Sequence, residues 1–113
     1  MITHFDLEWQ RRRFVGHTFD SLCQETIAAL PADVYVRFDI DGLDPALCPH
    51  TGTPVPSGLS FAEAVHPLVE LARSGRRLVG FDLVEVAPGD DEWDANVAAR
   101  LLYKLCGEVL QSR

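Results

Sequence analysis

The chain of 113 residues is long enough for one domain, and its hydrophobic fraction of 47% is typical of a folded globular protein rather than a disordered one. Its formal net charge of −7 excludes nucleic acid as a general partner, and no apolar stretch reaches the roughly 18 residues of a membrane span. Three cysteines without a CxxC pair and an acidic N-terminus without an apolar leader predict a cytoplasmic protein.

The first elements in chain order are a helix and a strand. Residues 1–17 are interpreted as a lead-in whose basic run, Arg11–Arg13, forms a solvated face. Over residues 18–30, apolar side chains recur at helical intervals until Pro31 ends the pattern. Residues 34–41 are rich in β-branched and aromatic side chains, which predicts a short strand.

A second helix, a second strand and a third helix follow. Ser60 and Glu63 form a capping box that opens a helix ending near Ser74, although Pro67 should kink that helix or displace its start. Residues 76–88 are apolar nearly throughout, which favours a strand covered on both faces. The last helix carries an apolar stripe composed of Val97, Leu101, Leu105 and Val109.

This order of elements predicts the fold class. Helix, strand, helix, strand, helix is typical of a βαβ crossover in a three-layer αβα arrangement, here a single α/β unit over residues 1–113 with parallel strands. Two strands leave unpaired edges, and the apolar second strand needs neighbours on both sides. We therefore expect an incomplete sheet that is part of a larger one.

Acidic residues follow both predicted strands. Asp39 and Asp41 close the first strand, where alternation places their side chains on the same side. Their like charges repel unless a cation lies between them, and carboxylate oxygens are the ligands that Mn²⁺ and Mg²⁺ prefer. The second strand ends in Asp82 and Glu85. Because ligands gather at the carboxyl ends of strands in open α/β sheets, the pattern predicts a divalent-metal site there.

The acidic pattern allows other interpretations than a divalent-metal site. Acids after a strand also cap turns, and Asp44 is expected to start one. An EF-hand beginning at Asp39 fails because its twelfth position is His50 rather than glutamate. A dehalogenase-type phosphatase shares the DxD strand end but has threonine in place of Leu43. A zinc site is disfavoured because no histidine forms the paired spacing with cysteine that zinc sites use. Ordinary surface or core roles are therefore predicted for the four histidines, His4, His17, His50 and His66.

Two longer segments are more specific than the DxD pair. FDIDGLDPALCPHTGTPVPSGLS (38–60) followed by VGFDLVEVAP (79–88) resembles the C-terminal half of the ureohydrolase family, which includes arginase, agmatinase and formimidoylglutamase. Arg37 departs from the pattern, because the family usually has serine or threonine there. The segment DDEWDANVAARLLYKL is similar to the closing helix of bacterial agmatinase-like members. The resemblance spans residues 33–110 and implies a partial ureohydrolase fold.

The resemblance also implies roles for four residues. Asp39 and Asp41 match two metal ligands of a family that binds a pair of Mn²⁺ ions. Thr53 matches a residue lining the guanidinium pocket, and Glu85 matches the glutamate that pairs with the substrate's guanidinium group. The resemblance further implies a reaction in which the metal lowers the pKa of a water that attacks the guanidino carbon, so that a compound such as agmatine or arginine would give urea and an amine.

The other parts of such a site do not occur in these residues. Neither the GGxH nor the DxHxD motif of the family is present, so most metal ligands and the proton-shuttling histidine are missing. We therefore expect no complete catalytic set and no activity from the chain alone. Two interpretations stay open. The chain is the C-terminal part of a homo-oligomeric ureohydrolase whose N-terminal half is missing here, or it is a short non-catalytic module that associates through its open sheet edge or pairs with a separate N-terminal half.

Overall fold

Two parallel strands and four helices make up the chain. The computed structural model describes residues 1–113, with the elements α1 (Asp6–Phe14), α2 (Phe19–Ala28), β1 (Asp33–Asp39), α3 (Phe61–Arg73), β2 (Arg77–Val84) and α4 (Trp93–Gln111). β1 and β2 pair in parallel, and α3 is the crossover between them. The predicted α/β class and βαβ unit are confirmed. None of the helices has both the length and the apolar character needed to cross a membrane.

The N-terminal segment is a helix rather than a lead-in. α1 buries none of its residues, and its three apolar residues, Leu7, Trp9 and Phe14, do not recur three or four positions apart, so no helical repeat predicts it. Its basic run does not simply face solvent: Arg12 pairs with Glu25 at 2.6 Å, and Arg13 pairs with Glu63 at 2.8 Å. Arg13 also lies over an aromatic ring of α2, 5.2 Å from its centroid. These contacts attach α1 to α2 and α3.

The start of α3 follows the sequence prediction. The Ser60 side chain accepts a hydrogen bond from the Glu63 backbone at 3.1 Å, and the Glu63 carboxylate accepts one from the Ser60 backbone at 3.0 Å. Pro67 lies inside the helix, which nevertheless begins at Phe61. Of the two effects expected of Pro67, a displaced start is wrong, because the capping box fixes the start, and a kink stays a prediction. Gly75 has φ +82° just past the helix end, the conformation expected of a closing glycine.

Helices cover one face of the sheet and leave the other bare. The strand side chains that belong to the two apolar clusters, or pack against them, lie on one face and meet α2, α3 and α4: Val34, Val36, Phe38, Leu78 and Leu83. On the opposite face, Tyr35 and Val79 are 58% and 52% exposed. Neither strand has a second neighbour. The chain thus supplies two of the three predicted layers, and β2 is not covered on both faces within it.

The loop over residues 43–60 folds back along the end of β1. The Leu59 backbone N–H donates to the Gly42 carbonyl, and the Asp44 N–H donates to the Leu59 carbonyl, both at 2.8 Å. The Asp44 carboxylate accepts a bond from the Ala46 N–H at 2.8 Å, which confirms the predicted turn. These bonds hold the loop against the carboxyl end of the sheet.

The close approach within this loop requires glycine at position 58. A Cβ built on Gly58 would lie 2.2 Å from the Leu43 carbonyl oxygen, whereas one built on Gly52 meets nothing within 4 Å. We expect Gly58→Ala to lower the free energy of unfolding by about 1–3 kcal/mol through overpacking. Gly52→Ala should change it by no more than about 0.5 kcal/mol. Urea denaturation measures both, and equal effects of the two substitutions would contradict the loop geometry.

Candidate functional site

Asp39 ends β1 and begins the site. Its carboxylate accepts a hydrogen bond from the Asp41 backbone N–H at 3.0 Å, and residues Ile40–Gly42 then form one turn of 3-10 helix. The predicted strand over 34–41 is therefore too long, and strand alternation does not apply to Asp39 and Asp41, because Asp41 lies in the turn. The Asp39 side chain instead caps the turn that contains Asp41.

Asp41 has one carboxylate oxygen bound and one free. One oxygen accepts a hydrogen bond from the Thr53 hydroxyl, which joins the glycine-containing loop to the end of β1. The other oxygen, Oδ1, is buried and has no hydrogen-bond partner in the protein. A buried carboxylate oxygen without a partner is costly, and a hard divalent cation would satisfy it. The donor chemistry of Asp39 and Asp41 therefore fits a divalent metal such as Mn²⁺.

Glu85 lies at the same edge of the sheet. Asp39 pairs with Val84 in the parallel register, so Glu85 is the next residue on the neighbouring strand. Its φ of +63° is uncommon for a residue other than glycine and ends β2, and such strained residues cluster at functional sites. The Thr51 hydroxyl donates to the Glu85 carbonyl at 3.3 Å. The Glu85 carboxylate is exposed and forms no ion pair.

Asp82 does not belong to the strand end. It lies inside β2, directly opposite Arg37 in the register, and one of its oxygens is buried without a partner. The two side chains form no ion pair within this chain, although opposite charges across strands are favourable neighbours. Arg37, which departs from the ureohydrolase pattern, therefore stands next to a carboxylate on the bare face of the sheet. Of the acids predicted after β2, only Glu85 reaches the edge.

His50 and Asp94 form a pair that links the loop to α4. The Asp94 carboxylate accepts bonds from the His50 backbone N–H at 3.1 Å and from the His50 ring Nδ1 at 2.8 Å. Asp94 is only 1% exposed and lies in the first turn of α4, where the helix dipole favours a negative charge. The bond from His50 to Asp94 raises the pKa of His50, and the charges of Asp94, Asp91 and Asp90 act in the same direction.

A second set of metal-ligating atoms includes this pair. One donor atom each from His50, Asp91 and Asp94 lies within 4.8 Å of the others. Both oxygens of Asp94 already accept bonds from His50, and the Asp91 carboxylate accepts a bond from the Trp93 backbone N–H at 2.9 Å. Hydrogen bonds within the protein therefore account for this group, in contrast to the unsatisfied oxygen of Asp41.

Cys48 lies beneath the site as an inert thiol. It is fully buried, and its Sγ donates to the Ile40 carbonyl at 3.3 Å. Burial raises the pKa of the thiol, and the negative charges of Asp94, Asp41 and Asp44 raise it further. A nucleophilic cysteine requires the opposite shift. Cys48 thus anchors the loop rather than taking part in chemistry.

The chain is similar to known proteins in sequence and in structure. A family described as the arginase family matches residues 2–107 of the chain. The chain belongs to the arginase family. It is 40% identical over 83 residues to an N(1)-aminopropylagmatine ureohydrolase from Thermus thermophilus, covering 74% of this chain and 28% of that protein. It is 37% identical over 103 residues to an agmatinase from Pyrococcus horikoshii, covering 89% of this chain and 35% of that protein.

A solved structure has a similar fold over most of this chain. The agmatine ureohydrolase of Thermoplasma volcanium matches with a TM-score of 0.71 and 31% identity, covering 85% of this chain and 32% of that one. The chain therefore spans about a third of the length of the arginase-family relatives it matches. The ureohydrolase resemblance and the partial α/β fold are confirmed.

Sequence reasoning placed four residues at the site and missed the pair that supports them. Asp39, Asp41 and Thr53 are joined by hydrogen bonds, and the parallel register brings Glu85 to the same edge. Their roles as metal ligands and substrate contacts stay predictions. The sequence predicts an ordinary surface or core role for His50, because no cysteine lies at a zinc-binding distance from it, whereas the structure pairs it with Asp94. A carboxylate in the first turn of the last helix was the available signal.

The pair of His50 and Asp94 predicts a pH-dependent contribution to stability. The pKa of His50 is raised in the folded chain. The stabilisation of the fold by protonated His50 is therefore fully present below the unfolded pKa of about 6.5 and is lost as the pH rises through the folded pKa. His50→Gln should therefore cost more free energy of unfolding at about pH 5.5 than at about pH 8.5. Urea denaturation at both pH values measures this, with His4→Gln as the control because His4 forms no ion pair. A cost that does not change with pH would contradict the pairing.

Proposed function

We propose that this chain is the C-terminal portion of a Mn²⁺-dependent ureohydrolase. The enzyme would hydrolyse a guanidino compound such as agmatine or arginine, or a formimidoyl compound, to release urea or the corresponding amide and an amine. The observation that carries the proposal is the buried, unsatisfied oxygen of Asp41 beside Asp39, at the sheet edge shared with Glu85. Membership in the arginase family gives this grouping its chemical meaning.

Asp39 and Asp41 are the residues that would hold metal. Asp41 has a free oxygen for a cation, and the Thr53 hydroxyl orients its carboxylate by donating to the other oxygen. Such outer contacts fix the direction of a ligand and tune its affinity. When bound, Mn²⁺ lowers the pKa of a water far enough for nucleophilic attack at neutral pH.

Glu85 is the residue proposed to bind the guanidinium group of the substrate. Its carboxylate is exposed at the edge and unpaired, and the left-handed backbone holds it where β2 ends. A carboxylate and a planar guanidinium form two parallel hydrogen bonds, which gives orientation as well as affinity. We propose that Thr53 lines the same pocket, because its hydrogen bond to Asp41 holds it beside the proposed metal ligands.

Two carboxylates are too few ligands for a pair of metal ions. Each divalent ion requires several more oxygen or nitrogen ligands than Asp39 and Asp41 supply. We therefore propose that the remaining ligands and the pocket walls come from an N-terminal portion, and that the assembled enzyme is a cytoplasmic homo-oligomer. The bare sheet face, on which Tyr35 and Val79 are exposed, supports this proposal, because an exposed apolar surface is typical of a face that another part of the protein covers.

The same bare face supports a second candidate function. A non-catalytic module that associates through its open sheet would also expose unpaired strand edges and apolar side chains. Such a module does not need the Thr53 to Asp41 bond or an unpaired Glu85. The ureohydrolase proposal accounts for these residues and the module does not.

Urea release tests the proposal. The chain alone with Mn²⁺ should release no urea from agmatine or arginine, whereas the chain joined to the N-terminal two thirds of an agmatinase should release it. Glu85→Gln in the joined protein, where the N-terminal portion would cover the pocket, should lower kcat/KM roughly 30-fold or more, since removing one partner of a buried charge pair costs about 2–5 kcal/mol.

The controls separate the two candidates. Arg73→Gln changes a distant exposed charge on α3 and should leave kcat/KM unchanged. Urea release by the isolated chain at ordinary enzyme rates would contradict the need for further ligands. Stable association with the N-terminal portion without any urea release would favour the module over the enzyme.

A further inference from the structure

The loop that carries Thr53 is fixed at His50 by both backbone and ring. The buried Asp94 carboxylate accepts the His50 N–H at 3.1 Å and the Nδ1–H at 2.8 Å. An ionised carboxylate can only accept hydrogen bonds, so both groups of His50 act as donors. Two bonds to one rigid acceptor on α4 determine the position and the orientation of His50.

Gly89 provides the space for the His50 ring. A Cβ built on Gly89 would lie 2.2 Å from the His50 Nδ1, so any larger residue would displace the ring from Asp94. Gly89 belongs to the connection between β2 and α4, four residues after Glu85. His50 is thus held between this connection and α4.

The residues that follow His50 reach the proposed substrate site. The next residue, Thr51, is 6% exposed and donates its hydroxyl to the carbonyl of Glu85. Two residues further, the Thr53 hydroxyl donates to Asp41. A displacement of His50 would therefore reach both the strained backbone of Glu85 and the orientation of Asp41.

We propose that His50 and Asp94 are positioning residues, which fix the loop 50–53 so that Thr53 and Glu85 face the guanidinium group of the substrate. This inference rests on the proposed function for its substrate. A metal role for the pair is disfavoured, because the His50 Nδ1 that donates to Asp94 has no lone pair left for a metal. The pair acts through Thr51 and Thr53 and does not touch the substrate.

Backbone order in the isolated chain tests the proposal directly. We expect the ¹⁵N relaxation order parameters of Gly52 and Thr53 to be about 0.85 in the natural chain and to fall below about 0.6 in His50→Ala. His50→Asn, whose amide can still donate to Asp94, should restore them. The order parameters of α3 should not change in either variant, which shows that the fold is kept. Asp91→Asn is the matched control, since it removes a neighbouring charge and keeps the acceptor for the Trp93 N–H.

Two results of the order-parameter measurement would overturn the proposal. One is an unchanged order parameter at Gly52 and Thr53 in His50→Ala. The other is a loss of order that His50→Asn does not restore, because the donated bond to Asp94 would then not be what fixes the loop.

Kinetics of the joined enzyme give a second readout. His50→Ala should raise KM for the guanidino substrate by about tenfold while kcat falls less, since KM rises when binding contacts are lost. A fall in kcat with KM unchanged would contradict the positioning of substrate contacts. If the joined natural enzyme is inactive, the proposed function fails, and the order parameters still decide whether His50 and Asp94 fix the loop.

Discussion

The parallel pairing of β1 with β2 is the constraint on which the rest of the structure depends. Its register sets Asp39 opposite Val84, so the chain turns away from both strands at the same edge. The turn at Asp41 and the left-handed residue Glu85 follow from that shared ending. A shift of one residue would move every strand side chain to the other face and separate these acids. The pairing of the two strands therefore determines the position of the candidate site, and the loops add to it.

The loop and α4 convert this edge into a defined surface. Loop residues bond to the end of β1 through Leu59, to Glu85 through Thr51 and to α4 through His50. The glycine at position 58 allows the first of these contacts, because no side chain fits there. Functional side chains on a loop need such a rigid support to keep their geometry. The bare opposite face of the sheet has no comparable support within the chain.

Short-range patterns predicted more than long-range ones did. The capping box at Ser60 and the acids at the strand ends were visible because their partners lie within a few residues. The proximity of Asp39 and Asp41 was predicted for the wrong reason, since a capped turn rather than strand alternation joins them. The bond from His50 to Asp94 spans 44 positions and two elements, which no local period reveals. Helix α1 has only three apolar residues, and no two of them lie three or four positions apart, so its sequence lacks the repeat that identifies a helix.

The central claim is that the acids at this sheet edge bind a divalent cation. Paramagnetic broadening by substoichiometric Mn²⁺ in the ¹H–¹⁵N spectrum of the chain tests it most directly, because it detects even the weak binding that two carboxylates allow and affects only nearby amides. The account predicts that the signals of Asp39, Asp41 and Thr53 are lost first, and that Asp41→Asn removes the effect. Broadening that begins at residues 90–94, around the other acidic group, would contradict the account.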